Sequence, residues 1–181
     1  LAISAVHEAI TRCLAQSLSD ELLAVYVANM TPVYRIEHSD IAKRALRNTC
    51  LNYLAFADEE FANKLVSSQY HQADNMTDSL AALAAAVAAQ LPCRDELLAA
   101  FDVRWNHDGL VMDKWFALQA TSPAADVLTQ VRALLKHPAF SLSNPNRTRS
   151  LIGSFASGNP AAFHASDGSG YQFLVEILSD L

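Results

Sequence analysis

The stretch NMTDSLAALAAAVAAQLPCRDELL, running from Asn75 to Leu98, decides the fold class. Leu80, Leu83, Val87 and Leu91 recur at spacings of three and four, which places them on one face of a helix. Thr77 is the expected N-cap, with Asp78 favourably placed against the positive helix start. The many alanines predict an inner helix, because small side chains let neighbouring helix axes approach closely. Pro92 must end the run, since it lacks an N–H and clashes with the preceding turn. A further helix is expected from Arg94 to about Arg104.

The same periodicity extends in both directions. Upstream, Ile3, Val6, Ile10, Leu14 and Leu18 mark a helix to about Ser17, followed by a second from Asp20 to Met30. Beyond Pro32, Ser39 offers an N-cap for a long helix from Asp40 to about Ala57. Its inward stripe is read as Ala42, Leu46, Tyr53 and Ala57, with Lys43, Arg44, Arg47, Asn48 and Asn52 turned away. Asp58 caps another helix through Ser68. Downstream, Asn106 to Gly109 is a turn, and Val111, Met112, Trp115 and Phe116 mark a helix ending near Thr121. Pro123 is expected at a first helical position, ahead of a core face made by Val127, Leu128, Val131, Leu134 and Leu135, and Pro138 closes that helix. No segment alternates with a period of two. The fold class is therefore all-α, an irregular stack of antiparallel helix pairs that is solenoid-like in the HEAT/armadillo manner, with roughly ten helices of about ten to eighteen residues. The tetratricopeptide signature is absent, because Trp115 lacks its Leu-Gly and Tyr partners.

Composition bounds the function. A chain of 181 residues with 51% hydrophobic residues and only 5 Gly and 6 Pro can bury a substantial core. Its net charge of −6 argues against sequence-independent nucleic-acid binding, which needs a basic face. No apolar run approaches the roughly 20 residues that span a bilayer, and no basic start precedes an apolar core, so neither a membrane segment nor a signal peptide is expected. Both ends read as cut: Leu1 opens without Met inside a periodic run, and Leu181 closes inside another without a capping Gly. Cys13, Cys50 and Cys93 are too widely spaced for a metal knuckle and are expected to be free, buried thiols in a reducing compartment. The sequons at Asn29, Asn75 and Asn146 are short matches of the kind that arise by chance and are read as unused.

Most groups that could carry chemistry have a structural reading. His7-Glu8 begins the zinc-peptidase pattern H-E-x-x-H, but Thr11 stands where the second His must be. His164, Ser166 and Asp167 lie too close together in sequence for a scaffolded triad. Gly168-Ser169-Gly170 lacks the Lys of a phosphate loop and is expected to start the last helix, capped by Ser169 or Asp167. His38, His71, His107 and His137 occur singly near helix ends and are given no role. The segment after Asn144 differs. Asn144-Pro145 reads as N-cap and first helical residue, which puts Arg147 and Arg149 in the first two turns, against the helix dipole. Residues held against a local preference point to a tertiary partner, either a buried carboxylate or an anionic ligand. Arg149 is the preferred candidate to meet a peptide's C-terminal carboxylate.

YRIEHSDIAKRALRN (Tyr34 to Asn48), the Asn75 to Leu98 stretch and SNPNRTRSLIGSFASGNPAAFHASDGSGYQFLVEIL (Ser143 to Leu178) together resemble, in the same order, the bacterial aminopeptidase N type of gluzincin zinc metallopeptidase. HDGLVMDKWFALQATSP (His107 to Pro123) fits between them, departing from the family's form by one residue ahead of Gly109. The resemblance implies that residues 1–181 are part of a single C-terminal helical domain, truncated at both ends, that caps a thermolysin-like catalytic domain absent from this chain. It implies a cytoplasmic parent of the membrane alanyl aminopeptidase type, which removes N-terminal residues from peptides with a zinc ion and its activated water. The implied partners are the catalytic domain of the same polypeptide and peptide substrates, with no nucleic acid and no membrane. The family's zinc ligands, general-base Glu and Gly-Ala-Met-Glu-Asn motif have no counterpart in this chain, so it is expected to be inactive alone. Arg149 matches a family Arg that looks towards the active-site cavity. The alternative is an independent helical-repeat scaffold that binds protein partners.

Overall fold

The computed structural model describes residues 2–179, 74% of which are helical, with no strand among them. The expectation of cut ends concerns Leu1 and Leu181, which lie outside that range. Two compact units divide the chain, Ala2–Leu97 and residues 98–179.

In the first unit, α1 (Ala2–Ser17), α2 (Ser19–Ala28), α3 (His38–Leu54), α4 (Glu59–Gln72) and α5 (Met76–Ala89) follow one another through short connections, and α6 (Arg94–Trp105) begins here. α2 packs on α3, and both α3 and α4 pack on α5. The alanine-rich α5 is the inner helix that its composition predicts: Ala82, Leu83, Ala85, Ala86 and Val87 are buried. It stops at Gln90, whose left-handed backbone (φ 55°) caps it just before Pro92. Two caps differ from expectation. Asn75, not Thr77, accepts the Asp78 N–H at 3.0 Å. α3 begins at His38, ahead of Ser39, after an extended Glu37 that makes no side-chain cap bond. Asp58 caps α4 as expected, accepting from the Phe61 N–H at 2.8 Å.

The larger correction concerns which face of α3 turns inward. Leu46 and Tyr53 are exposed, whereas Arg44, Arg47, Asn48, Cys50, Leu51 and Leu54 are buried. Polar partners from other helices explain the inversion. Arg47 Nη2 lies 2.6 Å from Asp78 Oδ2, and Asn48 donates to Asp78 Oδ1 at 2.9 Å. Gln69 donates to Asn48 Oδ1 (2.8 Å) and accepts from the Tyr26 hydroxyl (2.9 Å). Arg44 donates to the Arg35 carbonyl (2.7 Å) and stands over the Tyr34 ring at 4.7 Å. A buried charge is tolerated when paired and hydrogen-bonded, and this network supplies both conditions.

In the second unit, the helices after the end of α6 shorten: α7 (Gly109–Ala120), α8 (Val127–Leu134), α9 (Pro145–Thr148), α10 (Ser154–Gly158), α11 (Pro160–Phe163) and α12 (Ser169–Ser179). Several therefore fall below the ten residues expected from periodicity. Asp108 caps α7 by accepting the Leu110 and Val111 N–H groups. Pro123 does not open α8, which starts at Val127. The intervening loop is instead held by the buried Asn159, whose Nδ2 donates to the Ala120 and Ser122 carbonyls (3.2 and 2.8 Å). Phe155 is fully buried, with Phe163 and Phe173 edge-on at 5.9 and 5.6 Å. At Gly170 an added Cβ would fall 2.2 Å from the Phe163 carbonyl oxygen, so only glycine lets α12 start this close to α11.

Asp78→Ala should strand the buried Arg47 charge and destabilise the fold by about 3–5 kcal/mol, read as a lowered urea midpoint. Burial pushes the Tyr26 phenol above its ordinary value of 10.0, although nearby Arg47 pulls it back. Because the folded state favours the neutral phenol, its contribution is present below about pH 10 and is lost as pH rises through the folded value. Tyr26→Phe should therefore flatten that alkaline loss when the urea midpoint is followed from about pH 8 to 11.

Candidate functional site

Two polar constellations stand out, one in each unit. In the first, the network described above floors a cavity of about 270 Å³ lined by Tyr26, Arg47, Gln69, Asn75 and Asp78, with Met30 at its edge. Each oxygen of the Asp78 carboxylate is engaged, by Asn48, Arg47 and Asn75. Arg47 Nε is buried without a partner. No nucleophile faces a base here. The arrangement ties α2, α3, α4 and α5 together through one set of hydrogen bonds.

The second is built on the helix that starts at Pro145. Asn144 Oδ1 accepts the Asn146 and Arg147 N–H groups, and Thr148 Oγ1 donates to the Leu142 carbonyl at 3.0 Å. α9 does not stop at Thr148. The backbone stays helical through Arg149–Gly153 as a π-turn, in which the Ser154 N–H reaches back to the Arg149 carbonyl, and continues as α10. Such turns are rare and often sit at functional sites.

The two arginines of this segment have opposite fates. Arg147 is buried; its Nη1 donates to the Gly109 carbonyl (2.5 Å) and to Asp113 Oδ1. The Ser150 hydroxyl lies within reach of both Asp113 Oδ1 (3.1 Å) and the Arg147 carbonyl (2.9 Å). Gly109 leaves room for the guanidinium, since a Cβ there would come within 2.7 Å of Arg147 Nη2. Arg149 is exposed, and among the described residues its guanidinium has no ion-pair or hydrogen-bond partner. Its stem lies against Gly153, where an added Cβ would sit 3.4 Å from Arg149 Cγ. The tertiary reason sought for both arginines thus applies to Arg147, through the half-buried carboxylate of Asp113, while Arg149 remains available to an anion. Asp113 and Gly109 carry no local signal that would have marked them.

The other groups singled out in the sequence do not assemble into sites. Glu8 pairs with Arg12 at 2.9 Å on an exposed helix face, and the His7 carbonyl accepts the Thr11 hydroxyl. His164 Nδ1 sits 2.6 Å from the Tyr171 hydroxyl, and no bond joins it to Ser166 or Asp167. Asp167 instead accepts the Ser169 N–H at the start of α12, which holds its carboxyl below the usual value. His107 stacks on Trp105, and His71 lies 3.6 Å from Glu96. His137 is wedged between Trp115 and Phe116, 3.3 Å from Asp102, and its Nδ1 accepts the Ala139 N–H. Among the described residues no three His, Cys, Asp or Glu side chains converge on a point that could hold a metal ion, so they do not fit a zinc centre. No helix among them is long and apolar enough to cross a membrane.

Comparison with known proteins gives these features a context. All of residues 1–181 match the family described as "Domain of unknown function (DUF3458_C) ARM repeats". The chain is 66% identical over 181 residues to Aminopeptidase N of Escherichia coli (strain K12), covering 100% of this chain and 21% of that protein. It is 51% identical over 176 residues to Aminopeptidase N of Haemophilus influenzae, covering 97% and 20% respectively. A crystal structure of Legionella pneumophila aminopeptidase A in complex with aspartic acid superposes with a TM-score of 0.85 at 27% identity, over 96% of this chain and 21% of that one. The chain thus spans about a fifth of the length of the curated relatives it matches.

The cysteines offer a direct check on these surroundings. Cys13 is exposed, contrary to the expectation of three buried thiols, because it lies on an open face of α1. Cys50 and Cys93 are buried, and burial pushes both thiols above their ordinary value. A thiol-reactive chromogen should modify Cys13 rapidly in the native chain and the other two only on denaturation.

Proposed function

Since the chain belongs to the DUF3458_C family of ARM-repeat domains, we propose that it is the C-terminal helical domain of a zinc aminopeptidase, capping the active-site cavity and controlling peptide access. The observation that carries this reading is the 66% identity to Aminopeptidase N of E. coli along all 181 residues. In this proposal the parent is of the membrane alanyl aminopeptidase type, acts in the cytoplasm, and removes N-terminal residues from peptides. The zinc ion, its ligands and the general-base Glu reside in the catalytic domain of the same polypeptide, which is the partner of this chain. Residues 1–181 form part of one domain and are inactive alone. The open apolar face of α1, with Ile3 87%, Val6 58% and Ile10 55% exposed, supports docking against further protein.

Arg149 is the residue proposed to touch substrate. Its unpaired guanidinium suits the C-terminal carboxylate of a peptide held with its N-terminus at the metal. No metal-dependent step is assigned to this chain, because its described residues provide no ligand set.

Two measurements test the reading. The coding sequence upstream of Leu1 should hold an H-E-x-x-H helix with a downstream Glu; a start codon there, or an unrelated domain, would leave only a helical scaffold. In the intact enzyme Arg149→Ala should raise KM for a free-acid peptide roughly fivefold, a change at the upper end for an exposed ion pair. Unchanged turnover would make Arg149 structural at most.

A further inference from the structure

Arg147 and Arg149 are two residues apart, so on a helix their side chains leave the axis about 200° from one another. Whatever draws Arg147 inward therefore turns Arg149 outward. Asp113 does so. It binds the Arg147 guanidinium and is within reach of the Ser150 hydroxyl at 3.1 Å, engaging two positions of the same inward face from α7. The Gly109 carbonyl, 2.5 Å from Arg147 Nη1, completes the clamp, and a Cβ at Gly109 would fall 2.7 Å from Arg147 Nη2, so a side chain there would push the guanidinium from this position. Asp113 also neutralises Arg147. The segment then presents one uncompensated cation to solvent instead of two neighbours competing for the same anion.

From this we propose that Asp113 is a positioning residue for Arg149: it fixes the roll of the helix that begins at Pro145 and so sets the direction and availability of the Arg149 guanidinium for a peptide carboxylate. The proposal rests on the reading of Arg149 as the carboxylate-binding group. Gly109 belongs to the same device, because it makes the space in which Arg147 is held.

The test uses the intact enzyme with paired substrates, a peptide with a free C-terminal carboxylate and the same peptide as its C-terminal amide. The readout is the acid-to-amide ratio of kcat/KM. Asp113→Asn and Gly109→Ala should each lower that ratio roughly fivefold, with the loss in KM for the acid, to the level reached by Arg149→Ala. Asp113→Glu, which restores the charge, should recover a substantial part of it. If Arg149→Ala lowers the ratio while Asp113→Asn and Gly109→Ala keep it, the positioning role is overturned and Arg149 stands alone as the carboxylate site. If Arg149→Ala itself leaves the ratio unchanged, the reading of Arg149 fails and takes this proposal with it. Should Asp113→Asn fail to fold, Gly109→Ala, which alters no charge, decides the matter by itself.

Discussion

Asp78 and Arg47 must be paired wherever α3 and α5 pack together, because each would otherwise be a buried, uncompensated charge. Leaving one such charge unpaired costs about 3–5 kcal/mol, a large share of the net stability of a domain this size. The remaining members of the network follow from that pair. Asn48 and Asn75 occupy the other lone pairs of the carboxylate. Gln69 joins Asn48 to Tyr26, so a single set of hydrogen bonds runs across α2, α3, α4 and α5. The small side chains of α5 permit the close approach, and the polar set determines the rotation at which it happens. An alanine surface alone accepts many rotations with nearly equal packing; a carboxylate that needs several particular donors accepts very few.

Residues 98–179 repeat this logic with different parts. Asp113 takes Arg147 and Ser150 from the helix that begins at Pro145. Asn159 takes two carbonyls at the end of α7 and caps α11 with its own oxygen. Short helices with little apolar area of their own are tied together by buried polar groups, while Phe155, Phe163 and Phe173 supply the apolar contacts. In both units a helix long enough to be read by periodicity sits next to segments whose placement depends on distant side chains.

That division matches what could be read in advance. Helix content, the inner position of α5 and the caps at Asp58 and Asn144 were legible because each depends on residues within a turn or two. The inward face of α3 was not. Leu46 and Tyr53 look like the apolar side, and nothing within the helix shows that Asn48 will meet Asp78 30 residues later. Pro123 misled for a related reason, since its loop is organised by Asn159, 37 residues beyond Ser122. At the candidate site, the unusual placement of two arginines near a helix start was visible. Which of them would be consumed was not, because the deciding carboxylate, Asp113, lies 34 residues before Arg147.

The π-turn has a consequence in residue counting. Arg147 and Phe155 both point into the protein, yet eight steps of an uninterrupted α-helix would set them about 80° apart. Because the turn absorbs one residue, the path between them behaves as about seven steps and brings them to within roughly 20°. A helix one residue shorter, with an ordinary turn at that point, would align the same two buried side chains equally well. Burial of Arg147 and Phe155 therefore does not require the additional residue. What that residue does is lengthen the inward-facing arc, on which Ser150, Leu151 and Ile152 are buried in succession, while Arg149 stands exposed at its start.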